Sequence, residues 1–193
     1  MALFSETEII KGCLENDRIH QQYLYKQYYS LFLKICARYA KSVEDAEQLL
    51  NDSFLRIFNN IGSFKKAGSF EGWMKRIVIN TCLDYLKSKQ LKQSLKVSYT
   101  ADSNEKMDIS VNTEAVQEMS FKELLNLIQT LPAMSKTVFN LYVFDGFAHR
   151  EIASMLDISE STSSWHLHHA RNLLQQKLKS ENNVKAFYES KRV

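Results

Sequence analysis

Apolar residues recur along much of this chain with the 3.6-residue period of an α-helix rather than the two-residue alternation of a β-strand. Residues 5–40 show the pattern first, with large apolar side chains three and four residues apart at Leu24, Tyr28, Leu31 and Ile35. Side chains at this spacing line one face of a helix. The pattern therefore predicts helical structure over this region.

Two further helices are predicted before residue 90. Ser42 is a favourable N-cap residue, and the apolar stripe behind it covers residues 46–61, after which Gly62 ends the helix. The stretch "GSFKKAGSF" has the composition of a loop. The next helix is predicted over residues 71–89.

The helical pattern weakens over residues 93–113, which are mostly polar and are predicted to form a linker. Helical spacing resumes over residues 114–130, and Pro132 interrupts it. Residues 135–144 form the next predicted helix, with Gly146 at its C-terminal end. The chain therefore divides into two helical lobes.

The sequence "HREIASMLDISESTSSWHLHHARNLLQQKL" has the pattern of a helix-turn-helix. A short helix is predicted from Arg150 to Leu156, followed by a turn with Ile158 as an apolar plug. Ser159 is the predicted N-cap of the second helix. In this motif the second helix enters the major groove of DNA.

Composition agrees with a helical protein. The chain has 193 residues, of which 45% are apolar and 24% charged, but only five are Gly and one is Pro. Few turn residues favour long helices joined by few loops. The predicted fold class is all-α, with two small four-helix domains joined by a linker. The predicted segments are residues 5–92, the linker 93–113, residues 114–180 and a tail over residues 181–193.

A helical wheel gives the second helix of the helix-turn-helix two distinct sides. Leu167, Leu174 and Leu178 form the predicted buried stripe, and His166 lies near its margin. The opposite side is polar apart from one tryptophan, and it lies near the helix N-terminus, where a recognition helix contacts base edges and phosphates. The outward residues are Ser161, Ser164, Trp165, His168 and Asn172.

The histidines His149, His166, His168 and His169 raise the alternative of a metal-dependent enzyme. Zinc needs three or four protein ligands. Although His166 and His169 could share a face, position 173 is Leu, and no Cys or carboxylate stands at ligand spacing. No nucleophile and base are specified either. The sequence therefore predicts no metal, no cofactor and no enzymatic activity.

Charge is concentrated in the middle of the chain. The net charge is only +3, but residues 61–100 contain eight Lys and Arg against two Asp and Glu. Such a basic block binds phosphate, although a solvated basic face is the alternative. On the wheel Trp73 shares one face with Arg76, Asn80 and Lys87, and an exposed aromatic ring among cations can stack on an unpaired base. Trp73 could equally cap the core of its lobe, and both roles are compatible.

Other features indicate a cytosolic protein. The start "MALFSETEIIKG" lacks the regions of a secretory signal, and no apolar run approaches the roughly 20 residues of a membrane helix. Cys13, Cys36 and Cys82 are odd in number and widely spaced. This arrangement is typical of reduced, buried or half-buried thiols.

Three segments, in this order, resemble bacterial RNA polymerase sigma factors: "DAEQLLNDSFLRIFNNI", "GWMKRIVINTCLDYLK" and residues 131–178. The two-lobe plan is similar to the extracytoplasmic-function (ECF) group of the sigma-70 family. The resemblance covers residues 5–90 and 114–180. It implies a sigma region 2 bundle and a sigma region 4 helix-turn-helix. The protein would then bind core RNA polymerase, confer promoter specificity and promote DNA opening.

The resemblance also implies roles for individual residues. The candidates for docking on the clamp helices of the polymerase large subunit are Asp45, Leu49, Asp52, Leu55 and Arg56. The candidates for the −10 element are Phe64, Lys65, Lys66, Trp73, Arg76, Asn80 and Lys87. The candidates for the −35 element are Ser159, Ser161, Thr162, Ser164, Trp165, His168, His169, Arg171 and Asn172. The acidic linker residues that could imitate nucleic acid in the polymerase channel are Asp102, Glu105 and Asp108.

The chain departs from the family pattern within the helix-turn-helix. Asp157 stands where a Gly is common in the turn, and His166 and His169 stand where basic residues are common. Neutral His attracts phosphate less than Arg does. We therefore expect promoter binding that strengthens near pH 6, where more of the histidines are charged.

The alternative is a helix-turn-helix regulator that does not act as a sigma subunit. That alternative predicts dimers and no tight polymerase binding. The expected partners of a sigma factor are core RNA polymerase and promoter DNA. Many members of the group are also held by an anti-sigma factor, and nothing in the sequence identifies one here.

Overall fold

The computed structural model describes residues 4–65, 67–95 and 123–190, and all regular secondary structure in these ranges is helical. This confirms the predicted all-α fold class. The chain separates into two compact units, divided between Asn112 and Thr113. Several predicted features lie outside the described residues: Lys66, the linker beyond residue 95 with Asp102, Glu105 and Asp108, the helical segment over residues 114–122, and the last three residues of the tail.

Four helices build the described part of the first unit. They are α1 (Glu6–Leu14), α2 (Arg18–Tyr39), α3 (Val43–Asn60) and α4 (Phe70–Leu95), with a 3₁₀ turn at Ile61–Ser63. Helix α2 packs against each of the other three, and α3 packs against α4. The core between them contains fully buried side chains from α2, α3 and α4, including Leu24, Phe32, Leu50, Met74 and Val78. Burial of this apolar surface is the main stabilising contribution to the bundle.

The start of α3 is capped as predicted. The Ser42 hydroxyl accepts a hydrogen bond from the backbone N–H of Asp45, with 3.1 Å between the two atoms. The helix ends at Asn60 rather than at Gly62, because its last residues tighten into the 3₁₀ turn. Helix α4 is longer than predicted and extends to Leu95.

All three cysteines are buried, as predicted, and none is joined to another by a disulfide bond. Cys13 lies on α1, Cys36 on α2 and Cys82 on α4. Burial raises the pKa of the Cys13 thiol to about 11, and the nearby Asp17 carboxylate adds to the shift. The thiolate form of Cys13 is therefore strongly disfavoured at neutral pH.

Four helices also build the described part of the second unit. They are α5 (residues 123–129), α6 (Ala133–Phe139), α7 (His149–Leu156) and α8 (Glu160–Ser190). Helix α8 packs against both α6 and α7. Ile128, Val138, Leu141, Ile152 and Ala170 are buried between these elements.

The helix predicted over residues 135–144 is not one regular α-helix. After α6 ends at Phe139, residues Asn140–Phe144 form a π-helical turn. The backbone N–H of Asp145 closes it by donating to the Asn140 carbonyl, at 3.1 Å. Gly146 follows with a left-handed φ of 75°, a conformation that glycine adopts without strain. The glycine therefore ends the segment as predicted, but with a wider last turn.

Helices α7 and α8 form the predicted helix-turn-helix. Between them Asp157 adopts the left-handed conformation, with φ 55° and ψ 50°, and Ile158 is half-buried in the turn. Asp is one of the few non-glycine residues that adopts this conformation readily. The backbone geometry therefore matches a turn position at which glycine is the usual residue. As predicted, Ser159 caps α8, because its hydroxyl accepts from the Thr162 backbone N–H at 3.0 Å.

The predicted buried stripe of α8 needs one correction. Leu167 is buried and Leu174 is half-buried, but Leu178 is 46% exposed. Burial along the helix fades after Ala170. Leu178 therefore lies beyond the turns of α8 that pack against the rest of the unit.

Candidate nucleic-acid and polymerase interfaces

The N-terminal half of α8 has one buried and one exposed side. Ser163, Leu167 and Ala170 face the unit core. The opposite side forms a continuous exposed stripe, called the outer stripe here: Ser161, Ser164, Trp165, His168 and Asn172. These are the outward residues that the helical wheel predicts. Most of them can form hydrogen bonds, which suits contact with the edges of base pairs and with phosphates.

Hydroxyl groups cluster at the N-terminus of α8. The Ser159 oxygen lies 2.8 Å from the Ser161 oxygen and 2.7 Å from the Thr162 oxygen. Ser159 and Ser161 are exposed, and Thr162 is half-buried. The positive end of the helix dipole lies at the same place. The cluster can therefore donate to a phosphate that approaches this end of the helix.

Two of the histidines form hydrogen bonds between α8 and other helices of its unit. The Nδ1 atom of His149 on α7 lies 2.9 Å from the buried Ser163 hydroxyl. The Nδ1 atom of His166 lies 3.0 Å from the Ser135 hydroxyl of α6, which is also buried. Each histidine thus satisfies a buried hydroxyl that would otherwise be costly to bury.

His166 is poorly placed to act as a cation. Burial lowers its pKa, and the neighbouring His169 lowers it further. Of the two histidines at commonly basic positions, His166 therefore has its ring partly buried against α6, and its lowered pKa makes a charge on it near pH 6 less favourable. Within residues 4–65, 67–95 and 123–190, no group of three or more His, Cys, Asp or Glu is arranged to hold a metal ion.

Trp165 is the largest exposed side chain of the outer stripe. Its ring stacks on the His169 ring, with 5.0 Å between centroids and 12° between planes. The His166 ring lies nearly perpendicular to it, with centroids 4.9 Å apart. The indole therefore contacts two imidazole rings although 58% of the residue is exposed.

Arg171 lies beside a second aromatic contact. Its guanidinium carbon is 5.8 Å from the centroid of the Tyr142 ring, within cation–π range. Tyr142 also stacks on His149, with centroids 4.7 Å apart. Arg171 is exposed. Its charge is therefore available at the surface while the ring restricts its position.

In the first unit, an aromatic cluster forms at the start of α4. Phe64 lies 5.6 Å from Trp73 and 5.1 Å from Phe70, between ring centroids. Phe70 is buried and stacks on Trp73 at 12°, while Phe64 and Trp73 are half-buried. Trp73 thus covers part of the core and still presents surface to solvent. Both roles that the sequence left open for Trp73 are compatible with this geometry.

The polar face of α4 continues from this cluster. Arg76, Asn80 and Lys87 are exposed along the helix, as is Lys65 in the preceding loop. Lys75 is half-buried on the same helix, and its Nζ atom pairs with the Glu71 carboxylate at 2.6 Å. The face therefore combines a partly exposed indole with an amide and several cations.

Four of the five polymerase-docking candidates on α3 reach the surface of the unit. Asp52 and Arg56 are exposed, Leu55 is 61% exposed, and Asp45 is half-buried. Leu49 is 3% exposed and belongs to the core. Its assignment as a contact is corrected here, because a partner cannot contact a side chain that is enclosed by its own bundle.

Two side chains of α4 bind candidates on α3. The Tyr85 hydroxyl donates to Asp45 at 2.6 Å. Burial raises the pKa of Tyr85, and its bond to Asp45 raises it further. The Arg56 guanidinium donates to Asp84, also at 2.6 Å. Asp45 in the first turn of α3 and Arg56 on its later exposed face are therefore both bound to α4, the helix that also carries the −10 candidates.

Several of these partners were not identified from the sequence. The sequence does not single out Tyr85, Ser135 or Ser163 as having a partner. A serine or tyrosine on a face that is otherwise apolar is the available signal, because a buried hydroxyl needs a partner. The sequence does not indicate which partner it finds.

Comparison with known proteins agrees with this arrangement. The family model "Sigma-70 region 2" matches residues 24–92, and "Sigma-70, region 4" matches residues 121–174. Together they cover more than half of the chain. The chain belongs to the sigma-70 family. Curated relatives of the chain are named ECF RNA polymerase sigma factors. The protein is therefore an ECF sigma factor, a subunit that directs RNA polymerase to promoters.

Two of these relatives show how far the sequences have diverged. The chain is 24% identical over 182 residues to the ECF RNA polymerase sigma-E factor of Haemophilus influenzae, covering 90% of this chain and 95% of the relative. It is 27% identical over 153 residues to the ECF RNA polymerase sigma factor SigW of Bacillus subtilis, covering 76% and 82%. The sigma factor therefore matches these two relatives over most of their length.

Two solved structures share the helical fold. One is the sigma factor RpoE of Bartonella quintana in complex with the anti-sigma factor NepR, with a TM-score of 0.56, 18% identity, and coverage of 80% of this chain and 96% of that one. The other is CnrH in complex with the cytosolic domain of CnrY, with a TM-score of 0.51, 14% identity, and coverage of 89% and 96%. In the part of this sigma factor that the structure describes, no helix is long and apolar enough to cross a membrane.

Proposed function

We propose that this sigma factor uses its two units as separate contact modules, with region 2 over residues 5–92 and region 4 over residues 114–180. The outer stripe of α8 carries the proposal. It lies on the second helix of a helix-turn-helix whose opposite side is buried, and it begins at a capped helix N-terminus. A helix of this kind fits the major groove of duplex DNA. The −35 element is the DNA it would contact.

Region 4 residues divide by the type of contact that their chemistry supports. The hydroxyl cluster of Ser159, Ser161 and Thr162 is suited to phosphate, as is the cationic Arg171. The remaining candidates can reach base edges from the outer stripe and its margin: Ser164, Trp165, His168, His169 and Asn172.

Region 2 supplies the proposed contacts to the −10 element. The aromatic cluster and the polar face of α4 place the half-buried Trp73 beside exposed Arg76 and Asn80. When the duplex opens, an unpaired base can stack on an aromatic ring while cations bind the phosphates. Phe64, Lys65 and Lys87 extend the same surface, and Lys66 is assigned to it from the sequence alone.

The proposed polymerase surface lies on α3. Asp52, Leu55 and Arg56 are exposed on this helix, and Asp45 stands at its first turn. Protein interfaces combine an apolar centre with a polar rim, and an exposed leucine among charged neighbours fits that plan. The clamp helices of the polymerase large subunit are the proposed partner.

The decisive experiment combines the full-length protein with core RNA polymerase and measures promoter-specific run-off transcription. Promoters are selected from a library with randomised −35 and −10 elements. We expect transcripts that depend on both elements. Dimers that bind DNA but do not bind core polymerase would contradict the proposal and favour a helix-turn-helix regulator.

A variant test separates opening from assembly. Asn80→Ala should reduce permanganate reactivity of the −10 thymines and leave polymerase binding unchanged. Gln27 on α2 is an exposed amide outside the proposed surfaces, so Gln27→Ala is the matched control. Normal reactivity with Asn80→Ala would contradict the assignment of α4.

Membership of the family supports proposals about the regulation and the location of this protein. Because a structurally similar sigma factor is bound to an anti-sigma factor, and the similar protein CnrH is bound to the cytosolic domain of CnrY, we propose that a protein inhibitor also binds this chain. A tagged copy recovered from its own cells should carry a protein that suppresses run-off transcription.

Since the targets of the sigma factor are polymerase and chromosomal DNA, we propose that the sigma factor acts in the cytoplasm, without catalysing a reaction itself.

A further inference from the structure

The outer stripe of α8 has an apolar centre. Trp165 is 58% exposed and is followed three residues later by exposed His168 and preceded by exposed Ser164 and Ser161. Exposed indole surface is unfavourable in water. Because Trp165 lies among side chains suited to DNA, we expect its ring to make an apolar contact with the DNA.

The indole is oriented before anything binds it. One face stacks on His169, and the His166 ring contacts it nearly at a right angle. His166 is itself fixed by the Ser135 hydroxyl of α6, at 3.0 Å. Because the ring is already restrained, binding through it costs less side-chain entropy than binding through a free tryptophan.

The chemistry of duplex DNA limits what Trp165 can contact. In a closed duplex the faces of the bases are stacked on one another, so only base edges are open in the groove. The prominent apolar group on the major-groove edges is the C5-methyl group of thymine. We propose that Trp165, supported by His169, recognises thymine methyl groups in the −35 element. This inference rests on the proposed entry of α8 into the major groove.

The test removes the methyl group without removing the base. After a −35 element has been selected with holoenzyme, each thymine in it is replaced in turn by deoxyuridine, which keeps the hydrogen-bonding groups. Affinity of the holoenzyme for each duplex is measured by fluorescence anisotropy. Loss of one buried methyl should weaken binding about fourfold.

Variants connect the effect to the indole. With Trp165→Ala, thymine and deoxyuridine promoters should bind equally. Leu178 is an apolar, exposed residue on the same helix, outside the outer stripe. Leu178→Ala should therefore keep the fourfold difference. Far-ultraviolet circular dichroism establishes that both variants are folded.

The outcomes are distinct. A methyl effect in the unsubstituted protein that disappears with Trp165→Ala supports the inference. It is overturned if the selected −35 element contains no thymine, if deoxyuridine has no effect at any position, or if the effect persists with Trp165→Ala. Absence of any −35-dependent transcription would instead refute the proposed function, and the inference with it.

Discussion

Leu55 offers the sharpest test of the polymerase surface. The residue is 61% exposed on α3 in the free protein. Full burial of a leucine side chain is worth about 1.5–3 kcal/mol, so covering the exposed part at an interface contributes about 1–2 kcal/mol. Leu55→Ala should therefore weaken binding to core polymerase about 5- to 30-fold. Binding is measured by anisotropy of fluorescently labelled sigma factor titrated with core enzyme.

The same exposure predicts that folding is little affected. Surface substitutions usually change the free energy of unfolding by less than about 0.5 kcal/mol, which urea denaturation can verify. Ile19 on α2 is equally apolar and 64% exposed, but it lies outside the proposed surface. Ile19→Ala should bind polymerase normally. If Leu55→Ala and Ile19→Ala bind with the same affinity as the unsubstituted protein, the docking assignment of α3 is wrong.

Three further predictions concern the stability of the units. Tyr85→Phe removes the 2.6 Å hydrogen bond to Asp45 and should lower the free energy of unfolding by about 1–3 kcal/mol in urea; an unchanged value would show that the bond contributes nothing. Gly12→Ala places a Cβ atom against the His20 ring, closer than side-chain carbons normally approach, and should cost about 1–3 kcal/mol through overpacking between α1 and α2, so an unaltered melting temperature would contradict that contact. The lowered pKa of His166 means that the unfolded chain binds a proton there more readily than the folded one. Stability should therefore fall as pH decreases through the ordinary His pKa of 6.5 towards the folded value, and His166→Gln should reduce this dependence in pH-resolved denaturation; an identical slope in the variant would refute it.

Features that depend on a few neighbouring residues were predictable from the sequence. Ser42 and Ser159 cap α3 and α8 as expected, because an N-cap hydroxyl needs only a backbone N–H three residues ahead. The helix-turn-helix was recognisable for the same reason. Its turn combines a left-handed residue, Asp157, with the buried part of Ile158, and both are local requirements.

Features that depend on distant partners were not predictable. The wheel gives a direction for Leu178 but does not say where along α8 the packing partners end. It also places Trp73 on an outward face, whereas Phe64 from the preceding loop covers part of its ring. The ion pair between Arg56 and Asp84 joins residues 28 positions apart on two helices, and periodicity contains no information about such a distance. The π-helical turn at Asn140–Phe144 changes the hydrogen-bonding pattern of the helix. The spacing of apolar residues does not predict this change.

The enclosure of every native thiol has a practical consequence. Cys13, Cys36 and Cys82 are each at most 2% exposed, and a buried thiol reacts slowly with maleimide reagents because the reagent cannot reach the sulfur. A single cysteine introduced at an exposed position such as Gln27 would therefore carry a fluorophore selectively, with the three native cysteines left in place. A second dye on promoter DNA would then report, in real time and on single molecules, when the protein arrives and when it departs.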